Sequence, residues 1–131
     1  MNSRKAHGVK SEPMLREQLK RIESLSSFPR EAGEVALSRQ TQERARAIVE
    51  MLWEYSDSKV RKILESMFIT FIGSGDIQIE WEIGDRYLEF EIPAQGPFYF
   101  LSEEGDHQRE GSVQDESELV QMVQNFWSAS P

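Results

Sequence analysis

Hydrophobic positions along this chain keep helical spacing as far as Met67 and alternate after it. In "SEPMLREQLKRIESLSSFP", Leu15, Leu19 and Ile22 recur every three or four residues, with Met14 and Leu25 at the flanks. This predicts a short amphipathic helix ending before Pro29, with Ser11 as N-cap and Pro13 in the first turn. A second helix is expected from about Thr41, whose hydroxyl is placed to cap it. Its stripe is Ala45, Ile48, Val49, Leu52 and Trp53, set against Glu43, Arg44, Arg46, Glu50 and Glu54. "SDS" at 56–58 breaks the pattern, and Val60, Ile63, Leu64 and Met67 then point inward for another turn or two.

Beyond Met67 the period is two. "FITFI" at 68–72 reads as a strand and "GSGD" as a turn. Ile77, Ile79, Trp81 and Ile83 alternate with Gln78, Glu80 and Glu82, and "GD" at 84–85 suits a two-residue hairpin turn with glycine first. Pairing outward from that turn sets Ile83 against Arg86, Trp81 against Leu88, Ile79 against Phe90 and Ile77 against Ile92. Three of these four pairs are apolar, as one buried face requires, and a slip of one residue would set Trp81 against a carboxylate. "PAQG" turns the chain and "PFYFL" at 97–101 is a further strand. Residues 102–112 read as a loop or ragged hairpin tip. "DESELVQMVQNFW" closes the chain as a helix, with Asp115 and Glu118 placed as a capping box and Leu119, Val123, Phe126 and Trp127 buried.

The expected fold is therefore α+β, with N-terminal helices packed on a three- to four-stranded antiparallel β-meander over about 68–112 and a C-terminal helix. Residues 1–12 are polar and aperiodic, which predicts a flexible basic tail dispensable for folding; 13–127 form one domain and 128–131 a C-terminal tail.

Charge changes the picture most. The net charge of −8 conceals 13 Lys and Arg against 9 Asp and Glu in residues 1–62, and 2 against 14 in residues 63–131. An acidic half repels phosphate backbones, so direct duplex binding through it is not expected, whereas a basic protein surface is a natural partner. No apolar run reaches the roughly 18 residues that span a bilayer, and no apolar segment follows the basic N-terminus as a secretory signal would require. A cytoplasmic protein with no membrane partner is the expectation.

The hairpin register gathers the carboxylates on one face, with Glu82 opposite Tyr87, Glu80 opposite Glu89 and Gln78 opposite Glu91. Four readings are open for that face: chemistry, a metal, a basic partner, or solvation alone. There is no cysteine, hence no disulfide, thiolate ligand or thiol nucleophile. His7 and His107 lack the neighbours of a catalytic base. "EEGDHQRE", with Glu103, Glu104, Asp106, His107 and Glu110, has no calcium-loop spacing. "GSG" at 73–75 leads into a strand rather than a helix N-terminus, which fails as a phosphate cradle. Opposed Glu80 and Glu89 have the residue types of a general acid/base pair, but such pairs sit in clefts. No cofactor and no metal are expected.

Gly75, Ile77, Glu80 and Trp81, with "RYLEFEI" and the late Leu-Val helix, resemble a group of small uncharacterised bacterial proteins carrying a Gly-x-Ile-x-x-Glu-Trp strand. The resemblance spans about residues 45–127 and implies a helix on an antiparallel meander with a final helix; it implies no activity. The functional expectation is a non-enzymatic protein-binding module of antitoxin, immunity or defence-accessory type. It would dock a basic partner through Glu80, Glu82, Glu89, Glu91 and Tyr87. An acidic inhibitor imitating nucleic acid is the alternative, and an enzyme using Glu80 and Glu89 is the third.

Overall fold

A computed structural model describes residues 3–27, 36–55 and 60–128. Helix α1 (Ser3–Ser24) is followed by a 3-10 turn, then α2 (Arg39–Tyr55) and α3 (Val60–Ser66). Five strands follow, β1 (Phe68–Phe71), β2 (Ile77–Ile83), β3 (Arg86–Ile92), β4 (Phe98–Glu104) and β5 (His107–Val113), and helix α4 (Glu116–Ser128) ends the described chain. The strands form one antiparallel meander in the order β1-β2-β3-β4-β5. The fold is α+β, but the sheet has five strands rather than three or four.

The register expected about Gly84–Asp85 is present in full, from Ile83 with Arg86 to Ile77 with Ile92. Gly84 adopts a φ of 60° that side chains disfavour, and a two-residue turn with glycine first uses that freedom. The same device recurs at Gly105–Asp106, with a φ of 58° at Gly105, and turns β4 into β5. Residues 102–112 are thus strand and hairpin, not a loop. Their sequence hides this because only Val113 of β5 is buried, so no alternation of apolar residues marks it.

Ile77, Ile79, Trp81, Leu88, Phe90, Ile92 and Phe98 line the covered face and join one core with Ile48, Leu52, Ile63, Leu119 and Val123 from the helices. Trp81 is 1% exposed and its indole Nε1 donates to the Ile63 carbonyl at 2.9 Å, which fastens α3 to the sheet. Gln18 donates to the Leu64 carbonyl and Gln42 to the Ile22 carbonyl, so the buried polar groups also cross between helices.

Three helix starts are adjusted or completed. The α2 cap is Ser38, whose hydroxyl accepts from the Thr41 amide at 3.1 Å; Thr41 itself is buried. Helix α1 begins at Ser3, so Ser11 and Pro13 are interior positions, not cap and first turn. Residues 3–10 are helical without an amphipathic stripe, which is why periodicity does not find them, and Pro13 removes the donor that would have reached Val9. At α4, Glu118 N–H donates to Asp115 while Glu118 accepts from the Gln114 amide, a capping box shifted by one residue. The expected break at 56–58 and most of 128–131 lie outside the described residues.

Arg44 sits on the polar side of α2, yet it reaches across to the β3–β4 loop. Its guanidinium donates to the Pro93 and Gly96 carbonyls, both at 2.8 Å, and lies 3.9 Å from the Phe98 ring centre. A planar fork is needed for two carbonyls and a ring at once. Arg44→Ala should lower unfolding free energy by about 1–3 kcal/mol in urea titrations, with Arg44→Lys recovering little of it. A change below about 0.5 kcal/mol would show the bracket to be incidental.

Candidate functional site: the open face of the sheet

Because strand neighbours share a face, the register assigns every open-face residue. The central row runs Phe68, Glu80, Glu89, Leu101, Glu110; the row beside it runs Thr70, Gln78, Glu91, Tyr99, Ser112. A third row holds Glu82, Tyr87, Glu103 and Gln108. With Asp76 just before β2, seven carboxylates lie on this face, and these rows contain no Lys, Arg or His. Arg86, Arg109 and His107 belong to the covered side, in register with Ile83, Ser102 and Glu104. Phe68 and Tyr99 are 53% and 49% exposed and give the face an apolar component.

All five residues expected from the sequence, Glu80, Glu82, Tyr87, Glu89 and Glu91, are together on it. Glu103 and Glu110 complete it and were hidden by the reading of 102–112 as a loop. Recognising the second "GD" turn would have revealed them, since Glu104–His107 closes it as Ile83–Arg86 closes the first.

The two-residue turn makes Ile83–Arg86 a hydrogen-bonded pair, so Glu80–Glu89 falls on a non-bonded position, where facing side chains approach most closely. Each carboxylate receives a donor from its own strand instead of a cation. Gln78 Nε2 donates to Glu80 at 2.9 Å, and the Tyr87 hydroxyl donates to Glu89 at 2.7 Å. Burial, then the bond to Glu89 and the charges of Glu89 and Glu80, push the Tyr87 phenol well above its usual range, so it remains a donor. Glu91 hydrogen-bonds the Asp76 side chain, and that bond, with burial and the Asp76 and Glu89 charges, raises its pKa to about 7. A proton thus stands on this face where a cation would otherwise serve.

Glu91 holds its proton in the folded chain up to about pH 7 but loses it near 4.5 when unfolded. Its contribution to stability is complete below the lower value and disappears as pH rises through the upper. The melting temperature of the wild type should therefore fall relative to that of Glu91→Gln between about pH 5 and pH 7.5. A constant difference across that range would show that Glu91 titrates normally.

A shallow depression of about 580 Å³ on this face is bordered by Glu89, Glu91, Tyr99, Leu101 and Glu110; it does not reach Glu80. Among the described residues no group of three or more His, Asp or Glu gathers as a metal site, and no helix is long and apolar enough to cross a membrane. The four motif residues have separate tasks. Gly75 takes a φ of 95° in the turn, Ile77 and Trp81 enter the core, and Glu80 faces outward. Compared with protein-family models, curated proteins and solved structures, the chain matches none.

Proposed function

We propose that this protein is a non-enzymatic binding module whose open sheet face docks a basic protein partner. The observation that carries the reading is the one-sided charge: among the described residues, the strand rows of the open face, with Asp76 just before β2, hold seven carboxylates and no basic side chain. Glu80, Glu82, Glu89 and Glu91 form its centre, Glu103 and Glu110 extend it, and Phe68 and Tyr99 supply apolar anchor points at either side. The opposed carboxylates Glu80 and Glu89, held by neutral donors rather than by a cation, gain when a lysine or arginine arrives. Association should accordingly be salt-sensitive, with electrostatic steering setting its rate. A role as an antitoxin, immunity protein or defence accessory would use such a surface.

One geometric feature favours a more specific version, in which the face imitates nucleic acid. Glu80 with Glu82 and Glu89 with Glu91 are two residues apart along their strands, about 6.6–6.8 Å. That is the order of the phosphate spacing along one strand of a nucleic acid. In that version the partner is a nucleic-acid-binding protein, and the module occupies its basic groove.

The test is a fluorescence titration with a labelled decalysine peptide at low and high salt. Binding that weakens with salt and weakens again in Glu80→Gln with Glu89→Gln supports a docking face. Unchanged affinity in the double variant at low salt would mean that the carboxylates are only solvated. Once a partner is known, competition by duplex DNA separates the nucleic-acid mimic from ordinary docking.

A further inference from the structure

Strand β5 ends the sheet, and no described strand pairs with its outer side. The Gly105–Asp106 turn makes Glu104–His107 a hydrogen-bonded pair, and alternation gives Ser102–Arg109 and Phe100–Gly111 the same status. The amides and carbonyls of Gln108, Glu110 and Ser112 then point away from β4. Every residue of β5 before Val113 is exposed, and the strand has neither proline nor bulge, two common devices that protect an edge. The opposite edge, β1, has four residues and lies against α1.

Two depressions meet at the same stretch of β5. The one on the acidic face is bordered by Glu110, Gly111 and Ser112. The other, about 780 Å³, lies where the β4–β5 hairpin overhangs α4; it has Phe100, Val113, Met122 and Phe126 in its walls and also reaches Gly111. Gly111 borders both, and the Phe100 ring packs over its backbone, where a Cβ would stand 2.9 Å from the ring.

We propose that an extended segment of the basic partner adds to the sheet along β5, pairing with Gln108, Glu110 and Ser112. Side chains of an added strand alternate between the two faces. Lysine or arginine at every second position lies beside Glu110 on the acidic face, and apolar residues between them enter the groove beside Phe100 and Met122. The preferred sequence is therefore alternating basic and apolar. A second copy of this chain fits poorly, since full overlap of two β5 strands sets Glu110 against its own counterpart and joins two acidic faces. The inference rests on the acidic-face reading for its basic residues and adds the backbone edge to it.

The probe is an eight-residue peptide alternating lysine and valine, compared with a block peptide of the same composition. Ser112→Pro removes one outward donor without touching a carboxylate or the inner ladder, and Ser112→Ala keeps that donor. The alternating peptide should bind the wild type and Ser112→Ala equally, bind Ser112→Pro at least roughly tenfold more weakly, and outcompete the block peptide. In the wild type, the amides of Gln108, Glu110 and Ser112 should gain protection from hydrogen exchange when it binds, a readout independent of how the proline variant folds. Equal binding of both peptides, without that protection, would overturn strand addition. If Glu80→Gln with Glu89→Gln still weakened both, the acidic face would stand. Failure of the wild type to bind the alternating peptide would overturn strand addition outright. A wild-type dimer that Ser112→Pro dissociates would also overturn it, assigning the edge to a second copy.

Discussion

Replacing Trp81 by alanine should cost about 3–5 kcal/mol of unfolding free energy, among the largest single-residue losses expected in the chain. The ring is 1% exposed and sits between the β2–β3 hairpin and α3. Truncation removes its buried area, leaves a cavity, and strips the Ile63 carbonyl of its 2.9 Å donor. Trp81→Phe separates these contributions, because it keeps most of the ring and loses only the donor and some volume; about 1–3 kcal/mol is expected. Equilibrium denaturation of the two variants would measure both. A loss below about 1 kcal/mol for alanine would mean that α3 does not depend on this contact.

The second large effect concerns binding. Glu80→Lys with Glu89→Lys turns the centre of the open face from two negative charges to two positive ones. Affinity for decalysine at low salt should fall by about 2–3 kcal/mol, a factor of roughly 30 to 150, whereas the glutamine pair should cost about 1 kcal/mol. The fold should respond in the opposite sense for the glutamine pair. Close carboxylates across a non-bonded pair cost about 0.2–1 kcal/mol, so Glu80→Gln with Glu89→Gln should be as stable as the wild type or slightly more so. A variant pair that loses binding only because it unfolds would show a lowered denaturation midpoint, and that outcome would remove the support for docking.

The parts of the fold legible in the sequence share a physical reason. The β2–β3 register could be read because a glycine-first turn and four alternating inward residues point to the same pairing. The α2 stripe could be read because a buried face repeats every three to four residues. Strand β5 gave no such signal: its inner positions before Val113 are His107, Arg109 and Gly111, and a strand at the sheet edge beyond the helices has little apolar surface to bury. Glu110 was lost with it, and Glu103 with the end of β4. The Arg44 bracket was hidden for another reason, since its carbonyl partners lie 49 and 52 residues away and any backbone can supply a carbonyl. The start of α1 at Ser3 was hidden because helix without a buried stripe leaves no periodic trace. Nor does a sequence show that Glu91 bonds Asp76, because a turn and a strand must first bring them together.

The docking reading is tested most directly by calorimetric titration of decalysine into the wild-type protein at pH 7, at two salt concentrations and in two buffers of different ionisation enthalpy. A lysine arriving at the open face lowers the affinity of Glu91 for its proton, which is poised to leave near this pH. The expected result is binding that weakens as salt rises and is accompanied by net proton release, with that release abolished in Glu91→Gln. No binding at low salt, or binding that neither salt nor Glu80→Gln with Glu89→Gln alters, would contradict it.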